Sequence, residues 1–329
     1  MNVATLGFML SLFGGVLFGV YMVPRKASKL DNNSFLWILG ISVAISSTLV
    51  RLAFGERALK DPSDILLSTG CGVLWFIGTI GYSQAVRLIG LTRSTPIKNL
   101  GPILVTIYGI GIFKEFVINK PLPLAEAVLG SLLMTMSAII FGQTAAGEVP
   151  DNSAAFDPKR PAKERTRLFR IGILWSLLAA FCYSGYTVPQ KLIFHHMRTQ
   201  AWFDYQISPM SFLSGMGLGV GIAAVIYYAI AHPKILVPRV TSRREWMLAS
   251  LTGLAWVGAA AAASKAMSYI SMSVSVPASN LSTLITVAFG IWVYREIHIE
   301  RHRAGILLGL LASAVGVVLL SLATGHGKV

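Results

Sequence analysis

Residues 72–115 read GVLWFIGTIGYSQAVRLIGLTRSTPIKNLGPILVTIYGIGIFKE, and residues 253–296 read GLAWVGAAAAASKAMSYISMSVSVPASNLSTLITVAFGIWVYRE. The two stretches align without a gap at an offset of 181 positions, which indicates an internal duplication. Each copy is predicted to form two apolar helices around a short polar turn that precedes a proline. Identical residues recur along the alignment and include Trp75/Trp256, Ala85/Ala266, Ser94/Ser275, Pro96/Pro277, Asn99/Asn280, Gly109/Gly290 and Glu115/Glu296.

The composition around this duplication is that of a membrane protein. Of the 329 residues, 54% are hydrophobic and only 13% are charged, whereas soluble domains carry about 25% charged residues. A helix that crosses a bilayer core of about 30 Å needs roughly 20 apolar residues. The segments that meet this requirement are 3–24, 34–54, 64–88, 94–113, 123–143, 168–189, 207–231, 246–270, 273–294 and 303–323.

The formal net charge of +14 would favour nucleic acid as a partner if the protein were soluble. Here the basic residues flank apolar segments, so we expect them to set membrane topology and to contact anionic lipid, with no nucleic acid partner. The first segment has no basic start and a long apolar run, so it is predicted to be a transmembrane helix rather than a signal peptide. Cys71 and Cys182 lie in apolar segments, and neither a disulfide nor a metal site is expected.

The duplication extends to the first and sixth segments at an offset of 165 positions. The matched pairs are Gly15/Ala180, Gly19/Ser184, Tyr21/Tyr186 and Pro24/Pro189. Small residues four apart let a neighbouring backbone approach closely, and proline stops or kinks a helix. Hinge or packing roles are therefore predicted for Gly15, Gly19, Pro24, Pro96, Pro189 and Pro277.

Each half of the chain then contains five apolar segments, and an odd number forces the halves into opposite orientations. The predicted fold class is an all-α polytopic membrane protein with ten transmembrane helices in a 5+5 inverted repeat. Many secondary transporters share this design, with the site at the repeat interface near the midplane. The predicted units are an N-terminal repeat over 1–143, a basic hydrophilic linker over 144–170 and a C-terminal repeat over 171–329.

The distribution of lysine and arginine predicts the orientation in the membrane. Loops after the odd-numbered segments hold 19 of these residues, and the rest of the chain holds 9. The positive-inside rule therefore places the odd loops in the cytoplasm and both termini outside the cell membrane.

Several motifs resemble the glucose/ribose porter and rhamnose transporter branch of the drug/metabolite transporter superfamily. They are the Gly-x-x-Trp helix at Gly72, the Gly-x-Thr-Arg-Ser-x-Pro-Ile turn over 90–97 and the Phe-Lys-Glu ending over 113–115. The resemblance covers nearly the whole chain. It implies ten helices in a five-plus-five inverted repeat, and uptake of a sugar or similar polyol, often by cation symport.

Candidate substrate ligands are polar and aromatic side chains on the repeated helices. Lys265 lies about five residues inside the end of its segment, where it could either snorkel to the interface or bind substrate, and Gln84 occupies the equivalent place. Amides buried in lipid need partners, which are either another helix or a substrate. Mid-helix tryptophans serve either core packing or stacking on a sugar ring. The candidates are Tyr21, Trp75, Tyr82, Gln84, Asn99, Tyr186, Trp256, Ser264, Lys265 and Asn280, and Tyr183 adds a further hydroxyl.

No acidic residue falls in the centre of a predicted helix. An intramembrane carboxylate is the usual site for a proton or cation, so this distribution disfavours a cation-binding multidrug exporter. Glu115 and Glu296 end the fourth and ninth segments and are the remaining candidates for coupling to a proton or sodium ion. The alternative is an interfacial charge paired with Lys114 or Arg295.

No phosphate loop, nucleophile elbow or dinucleotide fingerprint is present, so neither an enzyme nor a cofactor is predicted. The leading hypothesis is a secondary active transporter that moves a small polar metabolite, with a sugar as first choice, by alternating access, with cation symport as an option. An exporter of amino acids or other metabolites of the same superfamily is the alternative. A non-transporting membrane receptor is the alternative from a different class.

Overall fold

The computed structural model describes residues 3–112, 121–145, 155, 160–190, 208–279, 281–293 and 299–326, and over these residues it contains helices and no strands. The helices are α1 (Val3–Val20), α2 (Val23–Ala27), α3 (Asn32–Ala53), α4 (Pro62–Ile89), α5 (Leu91–Lys98), α6 (Gly101–Gly111), α7 (Pro121–Ala145), α8 (Ala162–Gly185), α9 (Pro209–Ala231), α10 (Arg243–Met267), α11 (Met272–Ala278), α12 (Leu281–Trp292) and α13 (Ile299–His326).

In the described residues, seven helices are long and apolar enough to cross a membrane, and α7 contains a shorter apolar run over Pro121–Ser137. Many large apolar side chains on these helices are exposed, including Leu307, Leu308 and Leu311 of α13. Lipid tails accommodate such a surface, whereas a soluble monomer rarely exposes large apolar patches. The chain is therefore a multi-pass membrane protein.

The segments predicted over 94–113 and 273–294 are each interrupted, which corrects the prediction of continuous helices. The first is divided into α5 and α6, and the second into α11 and α12. The polar turn predicted over 90–97 is instead largely helical, because α5 begins at Leu91.

Pro96 and Pro277 each occupy the sixth position of their short helix, and each helix ends within two residues of the proline. A proline at such a position removes one N–H donor and crowds the carbonyl four residues earlier. Asn99 therefore lies at the break between α5 and α6, as the residue that caps α5, and not one turn inside a helix as predicted.

The first and sixth segments are interrupted at matched tyrosines. α1 ends at Val20, and Pro24 lies in the first turn of α2, where its missing N–H costs no helical hydrogen bond. α8 ends at Gly185, and residues 187–190 are helical again after a turn at Tyr186. Pro189 lies in this second helical stretch.

The end of the predicted linker is helical, because α8 begins at Ala162 and not near 168. Its first turns carry Lys163, Arg165 and Arg167, which have good helix propensity. Glu164 in the first turn pairs with Arg160. An acidic residue at this place stabilises the helix, because the helix N-terminus carries a partial positive charge.

The contacts between helices occur in matched pairs. A Cβ atom added at Gly7 of α1 would lie 2.9 Å from Cγ2 of Ile270, and one added at Gly172 of α8 would lie 2.5 Å from Cγ2 of Ile89. Gly172 follows Gly7 by 165 positions, and Ile270 follows Ile89 by 181 positions. The same contact is thus made twice, with the two halves of the chain exchanged.

The segments without a sequence match also pack in reciprocal pairs. A Cβ added at Gly130 of α7 would lie 3.0 Å from the carbonyl oxygen of Gly316, and one added at Gly316 of α13 would lie 3.0 Å from that of Gly130. Between α3 and α9, Gly40 faces Ala224. α1 packs on α10 and α4 packs on α8 in the same way, so each of these four helices also contacts the other half of the chain.

Candidate functional site

A cavity lies among the helices, and the space between its lining residues is about 900 Å³, which includes the part that opens to solvent. It is lined by residues of α1, α4, α5, α6 and α8 to α12, so both halves of the chain contribute.

The tryptophans matched by the duplication meet in this cavity. The ring centroids of Trp75 and Trp256 are 4.1 Å apart, and the Tyr183 ring stacks on Trp75 at 6.1 Å. Both tryptophans are buried and both line the cavity. Two residues at equivalent places in the two halves can touch only at the boundary between the halves, so the cavity lies at that boundary.

One wall of the cavity is polar and comes from the end of the sixth segment. Gln190 is buried and donates from Nε2 to Oγ of Ser264 at 2.8 Å, which joins the sixth and eighth segments. Thr187 donates to the carbonyl oxygen of Ser184 at 2.6 Å. Hydroxyl groups of α11, α12 and the residue that follows α11 complete this polar lining: Ser275, Ser279 and Ser282.

Lys98 brings a positive charge into the cavity from the last position of α5. Its Nζ lies 4.9 Å from the ring centroid of Tyr82, whose hydroxyl is 2.6 Å from Oγ1 of Thr95. Tyr82 was a predicted substrate ligand, but it is not among the described lining residues and instead contacts the Lys98 ammonium group through its ring. Lys98 belongs to the basic residues that were expected to set membrane topology, and it was not among the predicted substrate ligands, yet it lines the cavity.

Six of the predicted substrate ligands line the cavity: Tyr21, Trp75, Asn99, Tyr186, Trp256 and Ser264. Gln84 and Lys265 are not among its described lining residues, and Nζ of Lys265 instead lies 5.7 Å from the Tyr269 ring. Each is nine residues after a cavity tryptophan, which is two and a half turns at about 3.6 residues per turn. They therefore project from the opposite face of α4 and α10.

Three predicted residues, Asn280, Glu115 and Glu296, lie outside the described part of the chain. Among the described lining residues no carboxylate is present. Over the same described residues, no three histidine, cysteine, aspartate or glutamate side chains are grouped as metal ligands would be.

The predicted small residues of the first segment make close contacts beside the cavity. A Cβ added at Gly15 would lie 2.9 Å from the carbonyl oxygen of Ser279, and one added at Gly19 would lie 2.5 Å from Cβ of Ile285. Thr286 donates to the carbonyl oxygen of Gly19 at 2.8 Å. These contacts pack α1 against the interrupted ninth segment.

Thr187 and Gln190 are cavity residues that sequence reasoning missed, although a signal was present. With Tyr183 and Tyr186 they follow the i, i+3, i+4, i+7 spacing of one helical face, at the end of an otherwise apolar segment. A polar face on a membrane helix points to a cavity or a neighbouring helix.

Comparison with known proteins identifies relatives of the whole chain. The family model described as Sugar transport protein matches residues 9–323. The glucose uptake protein GlcU of Bacillus subtilis is 20% identical over 90% of this chain and 91% of its own length. Transmembrane protein 144 homolog B of Dictyostelium discoideum is 27% identical over 42% of this chain and 38% of its own length.

A solved crystal structure has a similar fold. It superimposes with a TM-score of 0.68 and 14% sequence identity, and the match covers 95% of this chain and 98% of that one. At that identity the likeness concerns the fold alone.

Proposed function

Because this chain belongs to the Sugar transport protein family, we propose that it is a secondary active transporter that moves a sugar across the cytoplasmic membrane by alternating access. The observation that carries the proposal is the cavity at the boundary between the two halves, which has one polar wall and lies where Trp75 meets Trp256. A binding site at such a boundary is reached from one side or the other when the halves rock. The protein is not an enzyme in this proposal.

The proposed architecture is ten transmembrane helices in a 5+5 inverted repeat. The matched contacts of Gly7 with Ile270 and of Gly172 with Ile89 support it, because a two-fold relation between the halves requires such pairs. The ten spans comprise the long helices, α7, and the two interrupted pairs α5–α6 and α11–α12. Interrupted helices beside a central site are typical of transporters.

The proposed orientation follows from the basic loops, with both termini outside the cytoplasm. A cysteine introduced at Lys234, in the loop after α9, is then accessible to a membrane-impermeant maleimide only from the cytoplasmic side. Labelling of that cysteine from outside intact cells would show that the orientation is the reverse of the one proposed.

Coupling to a proton or sodium ion is proposed to involve Glu115 and Glu296, since no carboxylate is found among the described cavity residues. Glu115→Gln and Glu296→Gln should then abolish accumulation against a gradient but preserve exchange of substrate at equilibrium. Unchanged accumulation in both variants removes these residues from the coupling mechanism.

The transport function is tested with purified protein in liposomes. Uptake of radiolabelled sugars, polyols and amino acids is measured, with Asn99→Ala as the variant expected to insert normally and to lose transport, because Asn99 lines the cavity at the α5–α6 break. Sugar uptake by wild type, with no uptake by Asn99→Ala, supports the proposal. Uptake restricted to amino acids favours the exporter alternative, and binding without any flux favours the receptor.

A further inference from the structure

The central cavity carries a positive charge for which an uncharged sugar has no matching group. Lys98 is the one charged side chain among the described lining residues. Its Nζ lies 4.9 Å and 5.8 Å from the ring centroids of Tyr82 and Tyr183. The ring faces attract the ammonium group through their quadrupoles but supply no negative charge.

Within the described part of the chain, no ion pair joins Lys98 to a carboxylate. A charge at membrane depth is costly unless a partner or water compensates it. Arg160 and Arg244, which lie at helix ends, are paired with Glu164 and Glu245. The cavity lysine thus differs from these structural charges in facing an open space.

Two helices begin at the same cavity. α6 starts at Gly101 and α12 starts at Leu281, and Gly101 and Ser282 both line the space. The N-terminus of α6 has no side-chain cap, but Pro102 has no N–H and the N–H of Ile103 donates to the carbonyl oxygen of Leu100 at 3.1 Å, so this end contributes mainly through its dipole. Helix N-termini carry partial positive charge and favour anions, which adds to the field of Lys98.

The rest of the polar lining is neutral. Hydroxyl and amide groups dominate it: Asn99, Ser184, Thr187, Gln190, Ser264, Ser275, Ser279 and Ser282. Such groups both donate and accept hydrogen bonds, as the hydroxyls of a sugar do. The cavity therefore combines a largely apolar lining with several neutral hydrogen-bonding groups and one cation.

We propose that the substrate is a sugar acid, a polyhydroxylated molecule with one carboxylate, and that Lys98 binds that carboxylate. The inference rests on the proposed transport function and names its substrate class. One ammonium group matches the single charge of a carboxylate, whereas a phosphate ester carries about −1.5 to −2. The arginine forks that bind phosphate bidentately are absent from the described lining residues.

The duplication shows why the charge also orients the substrate. The position equivalent to Lys98 in the second half is Ser279, and both residues line the cavity. The two halves therefore contribute equivalent positions to the cavity, but among its described lining residues only the first half contributes a cation. The carboxylate end of the substrate is therefore held towards α5, and its hydroxyl end towards Ser264 and Gln190.

The test uses the purified full-length protein and compares glucuronate with glucose, which differ in one carboxylate. Binding is followed by quenching of tryptophan fluorescence, since Trp75 and Trp256 line the cavity. Wild type should bind glucuronate at least about tenfold more tightly, because a hydrogen bond to a charged group is stronger than a neutral one. Equal or weaker binding of glucuronate by wild type overturns the inference.

Variants then locate the charge. Lys98→Gln should weaken glucuronate binding about tenfold or more and weaken glucose binding by a smaller factor, whereas Lys98→Arg should retain the preference for glucuronate. Lys265→Gln is the matched control, because its ammonium lies outside the cavity, and it should change neither affinity. An equal loss for both sugars in Lys98→Gln, or a loss for glucuronate in Lys265→Gln, overturns the role of Lys98.

The two proposals fail in distinguishable ways. Transport of glucose without binding of glucuronate overturns the sugar-acid inference and leaves the transport function intact. Neither binding nor flux of any sugar overturns the transport function and the inference with it. Tighter binding of glucose 6-phosphate than of glucuronate overturns the assignment of a single charge. If Lys98→Gln does not fold, the wild-type comparison of the three ligands still decides.

Discussion

Among single residues, Gln190 is the side chain that the cavity geometry adds to the candidate site. It is buried and bonded to Ser264, so its amide joins two segments and also faces the cavity. A bound substrate can use the remaining hydrogen-bonding capacity of both groups.

Gln190→Leu should therefore weaken sugar binding by about tenfold, because it removes a hydrogen bond worth about 0.5–1.5 kcal/mol and leaves the Ser264 hydroxyl with one partner fewer. The measurement is the dissociation constant from a titration of purified protein. Gln84→Leu is the matched control, since Gln84 projects from the far face of α4 and should leave the constant unchanged. Weaker binding in Gln84→Leu together with unchanged binding in Gln190→Leu would show that Gln84, and not Gln190, contacts the substrate.

Among the helices, close approach of backbones holds the two halves together. A Cβ added at Gly72 of α4 would clash with the carbonyl oxygen of Met216 in α9, whereas one added at Gly70 would meet nothing within 4 Å. Gly253, the equivalent of Gly72, makes the matching close contact with Ser42 of α3.

Gly72→Ala should destabilise the protein by about 1–3 kcal/mol, because the backbone of α9 cannot move aside without disturbing its own packing. Gly70→Ala should be neutral or slightly stabilising, since alanine favours helix over glycine by about 1 kcal/mol. Thermal unfolding in detergent measures both. Equal melting temperatures for the two variants would show that the α4–α9 contact is looser than the structure describes.

In the molecule as a whole, contacts at the two ends of α3 join the halves. Before α3, Ser28 and the backbone N–H of Lys29 donate to Glu245 at 2.5 and 2.9 Å. After α3, the carboxylate of Glu56 accepts from the backbone N–H of Met210 at 3.0 Å. If the halves rock as proposed, we expect each open state to break the contacts at one of these two ends.

Cysteines placed at Ser28 and Glu245 and joined by a short cross-linker should therefore abolish flux and preserve substrate binding. Flux is measured in liposomes before and after cleavage of the linker, which should restore it. The single cysteine variants treated with the same reagent are the controls. Normal flux in the cross-linked protein would contradict rocking of the halves at this end.

Much of the fold is predictable from the sequence because its signals are local. Apolar segment length predicts membrane helices, and the register of the repeat pairs Trp75 with Trp256. The interruptions of the fourth and ninth segments were not predicted, although Pro96 and Pro277 mark their neighbourhood. Whether a proline starts, kinks or ends a helix depends on which neighbours satisfy the freed carbonyl groups, and those neighbours are distant in sequence.

The amino-acid sequence alone establishes that this protein lies in the membrane, that its halves are related by duplication, and that the repeated tryptophans, prolines and asparagines occupy equivalent places. Which helical face meets the cavity depends on tertiary packing. That packing turns Lys98 inwards and Gln84 and Lys265 away, and it brings Gln190 to Ser264. Helical periodicity defines faces relative to one axis only, whereas long-range contacts between small residues determine what each face meets.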